Sequence, residues 1–381
     1  MSQTEKRQQV LTFPDIGCAG LIAGIFLRDL GVTYIPAPSN QGAEKSAAFR
    51  SAPEDMCLPF KLFAAQLEQA WHQGANTVVM PSSRGPCRLG EFCELLRVLL
   101  RNRGCDYEWI VLDVPSDIGM KELLKRASQI LPEVWRDKKH RKSLLKKLNQ
   151  TRHLLKELEK FEQELRRDAG YYDKPKTASD LISDCKRELS GAGGLEDAFQ
   201  IMGRYRWKKS QLQRDFSKTP VKIALTGEIF TLNEPSANMR IEDRLTELGV
   251  CLERDITLNW WIRKTLTDSI KNRSGGFGKK GNSLKNAYLP YEIGGYTKQT
   301  VEYAASAGLR GFDGVIQIFP SGCMPEIVGR AILNRVEEKE DIRVMTLVYD
   351  EMSGEAGMMT RLEAFTDMLQ RARERKAGQI Q

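Results

Sequence analysis

Several things that chemistry often relies on are scarce or missing in this chain. Histidine occurs three times, at His72, His140 and His153, and none lies beside a candidate ligand loop. None of the eight cysteines forms a Cys-x2-Cys pair, so the tight ligand pairs of a structural zinc site are excluded. "GGFGKKGNS" is rich in Gly and Lys but does not fit G-x-x-x-x-G-K-[ST], and "GAGG" is too short for a dinucleotide loop. Nucleotide hydrolysis is therefore expected of another chain. No apolar run approaches the roughly 18 residues a membrane span needs, and "MSQTEKRQQV" has no apolar centre. Neither a span nor a secretory signal is expected, and the expected compartment is the cytoplasm.

What is present suits a chain with two hydrophobic cores. The sequence has 381 residues, 41% of them hydrophobic. In a reducing cytoplasm the eight cysteines are buried filler, reactive thiols or ligands rather than disulfides. The net charge of +8 is uneven. Residues 121–220 hold 25 Lys and Arg against 15 Asp and Glu, a net +10, and the remainder carries −2.

Strand-like and helix-like patterns alternate over the first hundred or so residues. "VLTFP", "VTYIPAP", "NTVVMPSS" and "EWIVLDVP" read as strands, and "AGLIAGIFLRDLG" and "EFCELLRVLLRNRG" as amphipathic helices. Between about Asp117 and Ser217 the strand signal stops. Leu144, Leu148, Leu155, Leu158 and Leu165 recur at helical or heptad spacing among Lys, Arg and Glu, with breaks at "YYDKPKTASD" and "SGAGG". Alternation then resumes through "VKIALTGEIF", "VCLERDI", "GVIQIFP" and "IRVMTLVYD" to a terminal helix. The expected fold class is α/β, with a largely parallel sheet in each half and a long basic α-helical insertion between them. The expected domains are 1–117, 118–218 and 219–381.

In open parallel sheets, ligands bind beyond the carboxyl ends of the strands. Three cysteines lie in loops that reach such a crevice: Cys57 in "EDMCLPFK", Cys87 in "RGPCRLG" and Cys323 in "SGCMPE". Each has Gly or Pro neighbours that suit a special backbone: Pro59, Gly85 with Pro86, and Gly322 with Pro325. The motif Cys-x-Pro thus occurs twice, once in each half. Iron–sulfur clusters accept dispersed cysteines, and three ligands leave one iron open; three ordinary loop thiols is the competing reading. Cys93, Cys105, Cys185 and Cys251 read as small buried hydrophobes, and Cys18 as an outsider. Lys61 and Arg88 could offset the charge of thiolates. Glu326 could move a proton or simply favour a helix N-terminus. Glu54 and Asp55 flank Cys57, and Gly227, Glu228, Asn238, Asp350, Glu351, Glu355 and Arg361 occupy loops after second-half strands. For Arg361, the structural reading is a pair with Glu351 or Glu355.

The stretches "SAPEDMCLPFK", "GANTVVMPSSRGPCRLGEF", "GEIFTLNEPSANMRIEDRL", "GFDGVIQIFPSGCMPEIV" and "YDEMSGEAGMMTRLEAFTD" resemble the acyl-CoA dehydratase activase-related proteins. These are also called CoA protein activases, and are relatives of the 2-hydroxyacyl-CoA dehydratases and double-cubane-cluster proteins. The resemblance spans nearly all the chain except the details of the helical stretch. It implies two Rossmann-like domains with an iron–sulfur cluster, [4Fe-4S] or larger, in the cleft. The family's motif cysteines fall on Cys57, Cys87 and Cys323. It also implies an ATP-hydrolysing activator that supplies low-potential electrons for a difficult reduction or a radical dehydration. Two positions depart from the pattern. Cys18 replaces a polar residue, which leaves a fourth ligand open, and Tyr296 in "IGGYTKQT" stands where relatives tend to have His.

Two alternatives remain at this level: a non-catalytic cluster carrier or electron-transfer accessory, and an α/β binding protein without a cluster. An acyl-CoA or other small substrate and a second copy of the chain are candidate partners. Nucleic acid is disfavoured, because Glu is interleaved through the basic helices and no stacking aromatics accompany them. A solvated face, or a surface for a partner protein, explains those helices better.

Overall fold

Short apolar runs become two parallel sheets in the computed structural model, which describes residues 8–38, 40, 42–81, 87–112, 115–130, 138–273 and 288–378. The N-terminal seven residues, Gly85 with Pro86, and the Gly- and Lys-rich patch at 275–283 lie outside the described residues.

The first half comprises β1 (Leu11–Thr12), α1 (Ala19–Asp29), α2 (Ala47–Arg50), α3 (Leu58–His72), β2 (Thr77–Pro81), α4 (Phe92–Asn102), β3 (Glu108–Leu112) and α5 (Pro115–Ala127), the last broken at Gly119. Its sheet has the order β1-β2-β3, all parallel, with Thr77 opposite Glu108 and Leu11 opposite Thr77. The expected strand "VTYIPAP" is reduced to one bridge, Tyr34 beside Leu11 on the outer side of β1. Pro36 and Pro38 follow at once, and proline cannot donate to a ladder.

Three longer helices follow: α6 (Lys138–Asp168), α7 (Thr177–Ser190) and α8 (Leu195–Ser210). They break where Gly, Pro and Ser cluster, as the sequence predicts. Leu144, Leu155, Leu158 and Leu165 are buried, but Leu148 is exposed and Leu154 takes a core place instead. The true period is that of a packed helix rather than of a strict heptad. The core of these helices includes Ile22 and Ile25 of α1 and Leu258, so the segment is seated on both halves. Part of its charge is internal. Buried Arg166 meets Asp243 at 3.0 Å and Glu242 at 3.4 Å, and Arg167 meets Glu253 at 2.9 Å. The solvated-face reading therefore fails for the Arg166 end, where a cation removed from water needs its carboxylates.

The second half comprises β4 (Lys222–Gly227), α9 (Ile229–Asn233), α10 (Ile241–Glu247), β5 (Cys251–Arg254), α11 (Leu258–Arg273), α12 (Thr297–Leu309), β6 (Gly314–Pro320), α13 (Met324–Glu340), β7 (Arg343–Tyr349) and α14 (Glu355–Gly378). Its order is β5-β4-β6-β7, all parallel. Every residue of β6 is buried, as expected of a central strand covered on both faces. With Tyr34 counted as a vestigial strand, both sheets run second, first, third, fourth.

The halves share a seam. Phe230 and Ala237 of the second half belong to the core built on α3, α4 and β2, where Phe230 meets Phe63 edge to face at 5.1 Å. Leu58 packs against both this core and that of the second sheet. Among the described residues, no helix is long and apolar enough to cross a membrane.

Candidate functional site

Cys57, Cys87 and Cys323 occupy one structural position three times: each is the residue just before a helix begins. Cys57 caps α3, Cys87 caps the 3-10 turn Arg88–Glu91 that leads into α4, and Cys323 caps α13. All three have extended backbones, with ψ of 152°, 126° and 92°. The recurrence of Cys-x-Pro has its reason here. Pro59 and Pro325 sit in the first turns of α3 and α13, where the missing N–H removes no helical hydrogen bond. Topologically, however, Cys323 corresponds to Cys87 and not to Cys57. β2 and β6 hold the same place in the two sheets, and Cys87 and Cys323 are the cysteines that follow them.

One guanidinium ties the three loops together. Arg88, next to Cys87, donates from Nη1 to the carbonyl oxygen of Asp55 at 2.9 Å and from Nη2 to the carbonyl oxygen of Gly322 at 3.1 Å. Gly322 has a φ of 77°, and a Cβ there would stand 3.3 Å from the same guanidinium. The positive φ favours glycine at this turn.

The three thiols share an electrostatic environment. Burial foremost pushes Cys57 up to about 12, and it raises Cys87 and Cys323 as well. Glu228 adds to the rise in all three, and Cys87 adds to it in the other two. The backbone N–H groups of Phe60, Leu89 and Glu326, at the three helix starts, oppose the rise, as does Arg88 at Cys57 and Cys87. None of the eight cysteines forms a disulfide.

Buried carboxyls stand near the carboxyl ends of the second-half strands. Glu228 follows β4 and caps α9, accepting from Phe230 N at 2.9 Å and from Thr231 N and Oγ1 at 2.8 Å. Gly227 before it, with φ 138°, lets the chain pass against Ile318, whose carbonyl oxygen would lie 1.9 Å from any Cβ. Glu326 is buried in the first turn of α13. It accepts from Thr297 and Thr300 hydroxyls at 3.1 Å and from Gln317 Nε2 at 2.8 Å, and burial foremost raises its carboxyl to about 7. Asp255, after β5, accepts from Thr226 Oγ1 at 3.1 Å, and burial raises it to about 8. Sequence reasoning placed Glu228 only as a loop residue and missed Asp255, Thr297, Thr300 and Gln317. A carboxylate directly after an apolar strand, as in "ALTGE", is the signal that points to the first.

The remaining candidates distribute as follows. Lys61 is buried in the second turn of α3 and bonded to Glu351 Oε1 at 2.6 Å, so it joins the halves. Arg361 takes neither of the carboxylates expected for it: Glu351 holds Lys61, and Glu355 holds Arg244. Asp55 pairs with Arg88, and Glu54 is exposed. Asn238 is buried and donates to Thr231 O at 2.6 Å, which makes it a support of the Glu228 loop. Tyr296 begins α12 and packs edge to face on Trp260, while Gly295 before it lies against Pro325. Cys18 is buried in the core of α6 and α7, where Glu162, Glu159 and Lys186 surround it. Cys93, Cys105, Cys185 and Cys251 are buried, with Cys185 against the sulfur of Met202 at 3.8 Å.

Among the described residues, no group of three or more His, Cys, Asp or Glu is arranged to hold a metal ion. A lone ion demands its ligands within one tight shell, whereas a multi-iron cluster is larger and takes its thiolates at separate corners. The donor set is three soft thiols at three helix starts with no histidine among them. No protein-family model matches the chain, and no curated protein matches it.

Proposed function

We propose that the chain is an iron–sulfur protein related to the 2-hydroxyacyl-CoA dehydratases, with Cys57, Cys87 and Cys323 as the cluster ligands. The observation that carries this reading is the meeting of three free cysteines, each at a helix start, through the single guanidinium of Arg88. We read the two sheets as Rossmann-like, since each has the second-first-third-fourth order of a doubly wound half. Residues 118–218 are then an insertion between them.

A cluster of the [4Fe-4S] type or larger supplies one-electron chemistry at low potential when bound. The chain's own residues prepare for it. Helix N-termini place partial positive charge beside sulfurs that must become thiolates. Arg88 holds the three loops in register and adds a full positive charge. Glu326 lies within a closed set of hydrogen bonds with its carboxyl raised to about 7, so it can take up or release a proton near neutral pH, and Glu228 adds negative charge near all three thiols. The electrons would come from an ATP-hydrolysing partner, because no nucleotide motif is present here, and an acyl-CoA or related small molecule is the substrate class.

A second reading, an electron carrier without its own substrate, is favoured by one observation. Lys61 and Glu326 are satisfied inside the protein, by Glu351 and by Thr297, Thr300 and Gln317, so neither reaches toward a substrate.

Anaerobic purification with reconstitution and iron and sulfide analysis tests both. Cys323→Ala is expected to lower iron content far more than Cys185→Ala. A colourless, iron-free wild type would end the cluster reading. Product formation from acyl-CoA esters, with a reductase and ATP supplied, separates enzyme from carrier.

A further inference from the structure

We propose that the first half of α6 is a docking face for an anionic lipid surface, which the chain meets peripherally. This inference is independent of the cluster.

From Arg141 to Lys156 the sequence has no Asp or Glu. Arg141, Lys142, Lys146, Arg152 and Lys156 are exposed, and among the described residues none of the five has an ion-pair partner. Lys147, on the inner side, is different and holds Asp29 at 2.8 Å. The rest of the helical segment neutralises its cations: Arg204 holds Glu188, Arg206 holds Glu157, Lys209 holds Glu164 and Lys186 holds Glu162. The interleaving of Glu that makes a solvated face thus begins only at Glu157. Lys142 with Lys146 and Arg152 with Lys156 stand one turn apart, a like-charge spacing that disfavours a helix. Burial of Leu144, Leu154 and Leu155 on the opposite side holds the stretch helical against that repulsion. An anionic surface laid over the face relieves it.

Two leucines stand inside this field of charge and select the occupant. Leu145 is 61% exposed and Leu148 43%. Positions 141, 145, 148 and 152 form one row along a helix, so both leucines lie between Arg141 and Arg152, with Lys142 and Lys146 in the next row. A nucleic acid is held by polar contacts to phosphate, sugar and base edges, or by stacking on aromatics, and 141–156 has no aromatic. Protein interfaces are depleted of lysine, whose strongly hydrated ammonium on a flexible stem is costly to bury. An acidic bilayer accommodates both residue types. Leucine enters the boundary between headgroups and acyl chains, while lysine stems lie along apolar surface and keep their charge among the lipid phosphates.

The full chain is expected to sediment with phosphatidylcholine vesicles holding about 30% phosphatidylglycerol at about 0.15 M salt, and at least about tenfold less with phosphatidylcholine alone. Lys142→Glu with Lys146→Glu is expected to weaken that binding at least about tenfold. Arg335→Glu with Lys339→Glu, exposed on α13, changes the net charge equally and leaves binding intact. Leu145→Ser with Leu148→Ser keeps every charge and is expected to weaken vesicle binding at least about tenfold, which charge alone does not predict. Both leucines are exposed, so circular dichroism is expected to match wild type, and Leu145→Ser alone serves if the pair unfolds. Failure to bind the acidic vesicles, wild-type binding by the leucine variant, or an equal loss in the α13 pair overturns the proposal. So does tighter binding to single-stranded RNA or to polyglutamate at the same salt.

Discussion

Arg88 reaches across the seam between the two halves and donates to the carbonyl oxygen of Gly322 at 3.1 Å, one residue before Cys323. The same side chain holds the Asp55 carbonyl at 2.9 Å, two residues before Cys57. A residue adjacent to one cysteine thus fixes the approach to the other two.

Replacing Arg88 by Met is expected to cost about 1 kcal/mol. Two charged hydrogen bonds to carbonyls are lost, but the side chain is 38% exposed, which discounts them. Faster hydrogen exchange should appear at 54–57 and 321–324 together. Asp55→Asn should have little effect, since Asp55 is largely exposed and its backbone carbonyl persists. Loosening of one loop without the other would show that Arg88 does not couple them.

Glu228 raises the ionisation pH of Cys57, Cys87 and Cys323 and so disfavours the thiolate at each. Glu228→Gln removes that negative neighbour, so all three thiols should ionise at lower pH. In metal-free protein above neutral pH, alkylation at the three positions should therefore accelerate. Cys185, whose surroundings are Glu162, Lys186 and Glu188, should not change. An unchanged rate at the three cysteines would remove Glu228 from the site.

Stability should fall as pH rises through neutrality. Asp255 and Glu326 titrate near 8 and 7 in the folded protein, against ordinary values of 3.8 and 4.5. Between those limits the folded state keeps protons that the unfolded chain has lost, so their contribution is full below pH 4 and is lost on the way to pH 8. Thermal unfolding from pH 5.5 to 8.5 should show a decreasing midpoint. Asp255→Asn with Glu326→Gln should flatten that slope. A double variant whose curve runs parallel to wild type would mean the carboxyls are ionised in the fold.

The α/β alternation and the helical stretch were legible because they depend on local periodicity. The near-continuous apolar run in "GVIQIFP" makes a strand covered on both faces, and Gly, Pro and Ser break α6, α7 and α8 where they cluster. Exceptions arise where local residues oppose the pattern or where packing decides. "VTYIPAP" has strand residues but two prolines, and Leu148 has heptad spacing but no neighbour to bury it.

The sequence by itself placed Cys57 and Cys323 in connecting loops, with a proline two residues on that a helix tolerates only in its first turn; that α3 starts directly after Cys57 emerged from the structure. Tertiary structure decided what those helices face. Arg88 finding the Gly322 carbonyl, Lys61 finding Glu351 290 residues away, and Glu326 closing on Thr297, Thr300 and Gln317 depend on how two sheets meet at the Leu58 and Phe230 seam. Local pattern fixes which way a side chain leaves its own helix or strand. Which charge it meets is set by packing between segments far apart in the chain, and that packing also turned Lys61 and Glu326 from free charges into buried, partnered ones.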